Sequence, residues 1–411
     1  MSKIVLLGGC GGIGTIAART VLAANVFTDI VIADLDGERA EALAASFRRK
    51  RVVGVGVDVD DPSSLRRSLD GASVVLNTVG PFYRFGPQIL AAAIDSGVDY
   101  VDVCDDLDAT ERMLQMDAAA KAKGVRALLG MGNSPGLANV LARFAADQLL
   151  DSVESVDIMH IHGGEPQEGP AVLGHRIHAM TSDIPIWEDG QMRKVRMLDD
   201  SGAAYVIEVD FRDVGRFPVY PYPHPETITL PRYLPGVRRV TNRGVVFPLS
   251  YFELTQDLVR ADACGTAPLR VGGVEVVPRD FSVAHLIATR PRLLAEAAID
   301  GPAGCLVIDV RGQKEGAPER YVFSLSSRSA GAGEGTGIPA GIGAVLMAEG
   351  EGKIAEAGVY PPEAVVDPLR MLNLASGIVG SLGVEGSGSG SLPIHVERHR
   401  PDGVSELNLA F

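Results

Sequence analysis

An apolar run that leads directly into closely spaced glycines constrains the fold of this chain more than any other feature. Residues 4–7 read Ile-Val-Leu-Leu, an uncharged run typical of a strand buried on both faces. The pattern G-x-G-x-x-G follows, in which Gly9 allows a tight turn, Gly11 lets the backbone approach a pyrophosphate, and Gly14 lets the next helix pack on the strand. Residues 15–24 are Ala-rich, and the N-terminus of this predicted helix is expected to face phosphate groups. The residues predicted to bind a dinucleotide are Gly9, Gly11, Gly12, Ile13 and Gly14.

A second apolar run, residues 30–33, ends in Asp34, at about the distance expected of a ribose-binding acid. Its carboxylate would accept hydrogen bonds from both ribose hydroxyls of NAD and would repel a 2′-phosphate. Leu35 follows, and no arginine comes directly after it. The alternative is a glycine-rich turn with an exposed aspartate. We expect NAD rather than NADP, with Asp34 and Leu35 near the ribose.

Strands and helices are predicted to alternate about six times in the first ~130 residues, which indicates a parallel, doubly wound sheet. Asp58 ends the third strand, where it would either receive the adenine amino group or cap the next helix. The fourth strand, residues 73–78, runs into a loop at the edge where such folds bind ligands. We expect the cofactor to contact Asn77, Thr78, Val79 and Gly80. The substrate is expected to contact Pro81, Phe82 and Tyr83.

Two more loops are predicted at the same edge of the sheet. Asp105 ends the fifth strand, and residues 130–139 follow the sixth. Ser134 is predicted to be the N-cap of a helix with Pro135 in its first position. The free N–H groups of that helix could hold a substrate carboxylate, or the helix is an ordinary capped one. The residues expected near substrate in this loop are Asn133, Ser134, Pro135, Gly136 and Asn139.

From residue 152 onward, short β-like runs indicate a second domain with a mixed or antiparallel sheet. Residues 331–343 are rich in glycine and are expected to open a further helix that ends near residue 348. Residues 386–391 alternate Gly and Ser, which predicts a flexible linker. The last ~20 residues are expected to be loosely attached.

Composition excludes several classes of protein. No apolar run approaches the ~18–20 residues of a membrane span, and the chain enters a strand at once, so no signal peptide is expected. The four cysteines are far apart and form no C-x-x-C pair, which is typical of reduced cytoplasmic thiols. A net charge of -14 argues against a nucleic-acid partner.

Five motifs, taken in order, resemble the saccharopine dehydrogenase-like family, which includes lysine 6-dehydrogenase and carboxynorspermidine synthase. The resemblance covers roughly residues 3 to 373. The motifs are the glycine fingerprint; Asn77-Thr78-Val79-Gly80-Pro81-Phe82; Tyr100-Val101-Asp102 followed by an acid; Pro135-Gly136-Leu137-Ala138-Asn139; and the pair His224-Pro225-Glu226 with Thr336-Gly337-Ile338-Pro339-Ala340.

This resemblance implies an α/β protein in which a Rossmann doubly wound parallel sheet carries an inserted α+β mixed-sheet domain. The implied division is a dinucleotide-binding domain at 1–132, a substrate and dimerisation domain at 133–331, C-terminal helices that return to the first domain at 332–383, and a linker and tail at 384–411. A homodimer is also implied.

The family further implies nicotinamide-dependent chemistry at a C–N bond of an amine or amino acid. Many members resemble NADP enzymes, with Ser-Arg after the second strand, whereas this chain has Ala33-Asp34-Leu35. The difference favours NAD and oxidative deamination of the lysine 6-dehydrogenase type, or the reverse imine reduction. The alternatives are a reductase of carbonyl or C=C substrates on the same fold and a non-catalytic NAD(H)-binding sensor.

Oxidation of an amine requires a neutral nitrogen, so a base must take its proton. Asp105 is predicted to hold the cationic amine, and His224 is predicted to transfer the proton because histidine titrates near neutrality. Glu226 would orient His224. The alternative is that His224 is a loop histidine that contacts only backbone.

Two histidine pairs could imitate a metal site. His160 and His162 would share one face of a strand, and His175 and His178 could share one face of a helix. We expect no metal, because hydride transfer to NAD needs none. A role of one of these histidines in the substrate pocket is the preferred interpretation.

Overall fold

A computed structural model of the chain describes residues 2–328, 331–382 and 392–409. The predicted Gly-Ser linker at 386–391 lies outside the described residues. Among the described helices, none combines the length and the apolar character needed to cross a membrane.

The first part of the chain alternates strand and helix, as the apolar runs predict. Its elements are β1 Lys3–Leu7, α1 Gly12–Ala24, β2 Asp29–Asp34, α2 Gly37–Ser46, β3 Val52–Gly56, α3 Pro62–Leu69, β4 Val74–Asn77, α4 Phe82–Ser96, β5 Asp99–Asp102, α5 Leu107–Leu114, α6 Asp117–Lys123 and β6 Arg126–Leu128. The strands pair in parallel in the order β3-β2-β1-β4-β5-β6. This is the strand order of a doubly wound dinucleotide fold, so ligand-binding loops are expected at its carboxyl edge.

The middle of the chain forms a second, mixed sheet. Its elements, with the helices around it, are α7 Leu137–Phe144, β7 Ser152–Gly163, α8 Pro170–Thr181, β8 Ile184–Glu188, β9 Gln191–Val195, α9 Asp200–Ala203, β10 Ile207–Phe211, β11 Gly215–Pro221, α10 Glu226–Tyr233, β12 Arg239–Phe247, α11 Leu249–Arg260, β13 Leu269–Val271, β14 Val274–Val276, α12 Pro278–Glu296, β15 Ala303–Lys314 and β16 Ala317–Ser327. Strands β7 and β12 pair in parallel, whereas β7 and β15 pair antiparallel. The short hairpin β13–β14 pairs apart from this sheet.

The last part of the chain contributes to both sheets. Its elements are α13 Gly331–Glu349, β17 Gly358–Tyr360, α14 Pro362–Val365, α15 Pro368–Leu382, β18 His395–Arg400 and β19 Gly403–Leu407. Strand β17 adds to the parallel sheet beside β6, and α13 packs on α1. The predicted fold class, a parallel Rossmann-like sheet with a separate mixed sheet, is confirmed. The domain boundaries stay a prediction.

Helix α13 begins with the glycine-rich segment and ends at Glu349, as predicted. A Cβ atom at Gly337 would lie 2.7 Å from Cβ of Ile16, and one at Gly341 would lie 2.6 Å from Cβ of Thr20. The glycines therefore allow α13 and α1 to approach closely. They are needed for their lack of a side chain and not for the backbone conformations that only glycine adopts. Helix packing outweighs the low helix propensity of glycine in this segment.

The C-terminal residues are not loosely attached, contrary to the sequence-based expectation. Strand β18 pairs antiparallel with β16, and β19 pairs with β18 at the edge of the mixed sheet. Val396 is 1% exposed and belongs to the core on that side of the sheet. Strand β18 holds a single apolar residue, Val396, so no hydrophobic alternation in the sequence marks it as a strand.

Candidate active site

The glycine loop between β1 and α1 has the shape that a dinucleotide pyrophosphate requires. Helix α1 starts at Gly12, no side chain caps it, and its first turn holds no acid. A Cβ atom at Gly14 would lie 2.2 Å from the carbonyl oxygen of Gly8, so only glycine fits there. A Cβ atom at Gly12 would have no atom within 4 Å. Gly11, Gly12, Ile13 and Gly14 line the cavity, so the start of α1 is accessible to an anion.

Asp34 lies beside this loop at the end of β2. Its Oδ2 accepts a hydrogen bond from the backbone N–H of Cys10 at 2.9 Å. Leu35 is exposed. Asp58 is also exposed, and its Oδ1 accepts a hydrogen bond from the N–H of Asp60. The cap of α3 is Asp61, so the alternative role of Asp58 as a helix cap is wrong.

Asn77 supports the loop after β4 from inside the protein. It is fully buried, its Nδ2 donates to the hydroxyl of Tyr100 at 3.0 Å, and its Oδ1 accepts from the N–H of Val79. Thr78 faces the cavity, but its hydroxyl donates to the carbonyl oxygen of Leu7 at 2.9 Å. This loop is thereby fixed against the glycine loop.

A cavity of about 770 Å³ extends from the glycine loop to the edge of the mixed sheet. Predicted residues that line it are Gly11, Gly12, Ile13, Gly14, Thr78, Gly80, Pro81, Phe82, Asp105, Asn133, Ser134, Pro135 and His224. Predicted residues outside the lining are Gly9, Asp34, Leu35, Asp58, Asn77, Val79, Tyr83, Gly136, Asn139 and Glu226. Loops at the carboxyl edge of the parallel sheet and residues of the second domain therefore line one cleft.

His175 of α8 lies between two carboxylates of the loop after β5. Its Nδ1 is 2.8 Å from Oδ1 of Asp106, and its Nε2 is 3.5 Å from Oδ2 of Asp105. Burial opposes protonation, but the charge of Asp105 and the hydrogen bond to Asp106 outweigh it and raise the pKa of His175 to about 9. Burial raises the pKa of Asp105 above its usual value. This position therefore favours a cation.

His224 belongs to a second buried group next to His175 and Asp105. Its Nδ1 lies 3.6 Å from Oε2 of Glu226 and 3.3 Å from Nδ2 of Asn242. The hydroxyl of Ser134 donates to Oε1 of Glu226. The ring of His160 stacks on that of His224 at 5.0 Å. The contacts of His224 are thus with side chains, and the alternative of a backbone-only loop histidine is wrong.

The predicted cap of the helix after residue 133 is also wrong. Helix α7 begins at Leu137 with Gly136 as its N-cap, and Oδ1 of Asn139 accepts from the N–H of Gly136 at 2.9 Å. The side chain of Ser134 instead reaches across to Glu226. Nδ2 of Asn139 donates to the buried Glu363 at 2.8 Å, so Asn139 holds the loop from behind.

Sequence reasoning missed Asp106 and Asn242, and it gave His175 only a general place in the pocket. Asp106 orients His175, which lies about 70 residues further along the chain. Asn242 orients His224, which lies about 20 residues before it. The only sequence signal for this site was that a second acid, Asp106, directly follows Asp105. The contact with His175 could not be predicted, because the position of its helix relative to the fifth strand was not predicted.

The comparisons with known proteins agree with this architecture. Residues 4–128 match the family model described as the saccharopine dehydrogenase NADP binding domain. The apo structure of saccharopine dehydrogenase (L-Glu forming) from Saccharomyces cerevisiae covers 97% of this chain and 99% of its own, with a TM-score of 0.62 and 16% identity. Residues 4–128 are thus similar to that NADP binding domain, and the whole chain has the fold of saccharopine dehydrogenase.

Two curated relatives of the saccharopine dehydrogenase-like type match over most of the chain. Carboxyaminopropylagmatine dehydrogenase of Synechocystis sp. is 25% identical, over 90% of this chain and 94% of its own. Carboxynorspermidine synthase of Vibrio cholerae is 25% identical, over 87% and 91%. A trans-acting enoyl reductase of Mycobacterium leprae is 30% identical, but over only 31% of this chain and 32% of its own. The chain is thus related to saccharopine dehydrogenase-like oxidoreductases.

Proposed function

We propose that this chain is an NAD-dependent oxidoreductase that acts at the C–N bond of an amine or amino acid. The observation that carries the proposal is the continuous cavity from the glycine loop to Asp105 and His224. A bound nicotinamide dinucleotide would supply the hydride acceptor or donor. The residues of the chain would bind the amine, orient it and move its proton.

The charges around the cavity favour a cationic substrate. The acids in the lining are Asp105, Asp106, Glu165, Glu168 and Glu334. Arg176 is the one Lys or Arg side chain in the lining that the structure describes, and it is paired with Glu168. His175, whose pKa is raised to about 9, already lies beside Asp105, so a substrate ammonium group would share this carboxylate with it. The names of the two long relatives also denote carboxylated polyamines, which carry such groups.

His224 would accept the proton of the bound amine. Glu226 and Asn242 hold its Nδ1 side, so the ring presents its other nitrogen away from them. A histidine oriented by a carboxylate in this way is a typical general base. Burial and the neighbouring His224 hold the pKa of His160 well below its usual value, so His160 packs on His224 as a neutral ring.

The preference for NAD over NADP rests on Asp34. Its carboxylate lies beside the glycine loop, where it would accept hydrogen bonds from ribose hydroxyls and repel a 2′-phosphate. The matching family model is described by its NADP binding. The carboxylate of Asp34 would nevertheless favour the unphosphorylated cofactor in this chain.

The proposal is tested by incubating the purified chain with NAD and a panel of amino acids and polyamines at alkaline pH. Formation of NADH with at least one amine is expected. The partial relatives named enoyl reductase favour a second candidate, reduction of a C=C bond, so enoyl and carbonyl substrates with NADH belong in the panel. Binding of NADH without turnover of any of these substrates would support a sensor instead.

A further inference from the structure

Asp105, His175 and His224 meet in the cavity from three separate segments. One carboxylate oxygen of Asp105 and one ring nitrogen of each histidine lie within 4.8 Å of one another. Ligand atoms of a tetrahedral zinc ion, each ~2.0–2.1 Å from the metal, lie roughly 3.4 Å apart. The 3.5 Å between Nε2 of His175 and Oδ2 of Asp105 is already close to that spacing.

Both histidines are held by a carboxylate on the Nδ1 side of the ring. Asp106 contacts Nδ1 of His175 at 2.8 Å, and Glu226 lies 3.6 Å from Nδ1 of His224. Within the described part of the chain, no hydrogen bond engages Nε2 of His224. Metal-bound histidines typically donate one ring N–H to a carboxylate and ligate through the other nitrogen. This arrangement is present at His175, and at His224 the carboxylate of Glu226 lies just beyond hydrogen-bond distance of Nδ1.

An unpartnered atom of Glu226 supports the same arrangement independently. Glu226 is fully buried, and its Oε2, the atom that faces Nδ1 of His224, has no hydrogen-bond partner among the described residues. A buried carboxylate oxygen is costly unless it receives a hydrogen bond. A proton on Nδ1 of His224 would face this oxygen at 3.6 Å and leave Nε2 with a free lone pair, and in that tautomer the 3.3 Å contact of Nδ1 with Nδ2 of Asn242 would not be a hydrogen bond.

We propose that Asp105, His175 and His224 bind a divalent transition-metal ion such as Zn²⁺, with a fourth position open to the cavity. Two imidazoles and one carboxylate form a donor set that Zn²⁺ accepts. This departs from the expectation of no metal drawn from the sequence. The inference rests on the proposed function in one respect. The ion would occupy the position of the substrate ammonium group beside Asp105, so metal and amine would exclude one another.

The test uses Co²⁺ as a spectroscopic probe, because tetrahedral Co²⁺ absorbs visibly and Zn²⁺ displaces it. One equivalent is expected to bind the unmodified protein. Asp105→Asn, His175→Gln and His224→Gln should each abolish the tetrahedral spectrum. Asp106→Asn, which removes the carboxylate charge beside Nδ1 of His175 but keeps an oxygen that can accept from the N–H of Tyr83, should weaken binding ~10–100-fold. His285→Gln, at an exposed position on α12, is the matched control and should bind normally.

Retained NADH binding in each variant shows that it is folded. No tetrahedral spectrum in the unmodified protein would overturn the inference, as would an unchanged spectrum in the three ligand variants. Loss of the spectrum in His178→Gln alone would place the metal at the neighbouring group of Asp106, Asp108 and His178 and also overturn it. Because the Co²⁺ spectrum is measured without turnover, a negative amine assay would not affect this test of metal binding. With an active amine, Zn²⁺ should raise its KM and leave the Kd of NADH unchanged.

Discussion

Asp34 is a single carboxylate on which the cofactor preference depends. Replacing Asp34 with Ser and Leu35 with Arg should remove the repulsion of a 2′-phosphate and add a cation for it. The ratio of kcat/KM for NAD to that for NADP is expected to fall strongly in the double variant. Steady-state kinetics with both cofactors measure this ratio. An unmodified protein that already favours NADP would contradict the role given to Asp34.

Replacement of Asp105 and replacement of His224 are expected to change different kinetic parameters. Asp105→Ala removes the partner of the ammonium group and should raise KM and lower kcat/KM by about 100-fold. His224→Ala removes the proton acceptor and should lower kcat by ~10²–10⁴. NADH titration of both variants and of the exposed control Asp95→Ala should be unchanged. A normal KM in Asp105→Ala would place the ammonium elsewhere.

Individual residues show where sequence reasoning reached its limit. Asp105 and His224 were predicted and line the same cavity, because a strand end and a conspicuous loop motif are both local signals. Ser134 was given a cap role from its neighbours alone, yet its hydroxyl is bound to Glu226, 92 residues away. Contacts of that separation leave no pattern in one sequence, so Asp106 and Asn242 could not have been assigned.

Helices α1 and α13 are packed so closely that one of them must present glycine. Gly341→Ala would place a Cβ atom 2.6 Å from the side chain of Thr20, and such overpacking typically costs about 1–3 kcal/mol. The free energy of unfolding should fall accordingly in denaturant titrations. Gly377→Ala in α15 is the matched control, since no atom lies within 4 Å of its Cβ and alanine favours helix. Equal effects of both substitutions would contradict the packing argument.

Strand β18 is the element for which the sequence was most misleading. Val396→Ala should lower the free energy of unfolding by about 1–3 kcal/mol, because Val396 is buried beneath the mixed sheet. Val404→Ala, on the neighbouring strand and 62% exposed, should have little effect. A loosely attached tail would instead leave both variants as stable as the unmodified chain.

The elements of the parallel sheet were predictable because its buried strands are short apolar runs, and most of them are followed closely by a glycine or an acid, β4 with Asn77 at its end being the exception. Observed strand bounds such as Lys3–Leu7 and Asp29–Asp34 differ from the predicted runs by one residue at an end. The mixed sheet was predictable only as a class. Its long strands β7 and β15 pair with partners distant in sequence, and the register depends on those partners.

At the scale of the whole molecule, the cleft between the two sheets combines a dinucleotide loop with an acidic, histidine-rich wall. The parallel sheet supplies the glycine loop and Asp105, and the mixed sheet and its helices supply His175 and His224. Neither part contains a complete site. Cofactor and amine are therefore expected to react across this cleft.

The most direct measurement follows the hydrogen that the reaction transfers. An amine found active in the panel is deuterated on the carbon beside its nitrogen and incubated with the chain and NAD. The account predicts that the NADH formed carries the deuterium, as seen by mass spectrometry, and that Asp105→Ala forms far less of it. NADH without deuterium, or hydride transfer confined to carbonyl or C=C substrates, would contradict oxidation at a C–N bond.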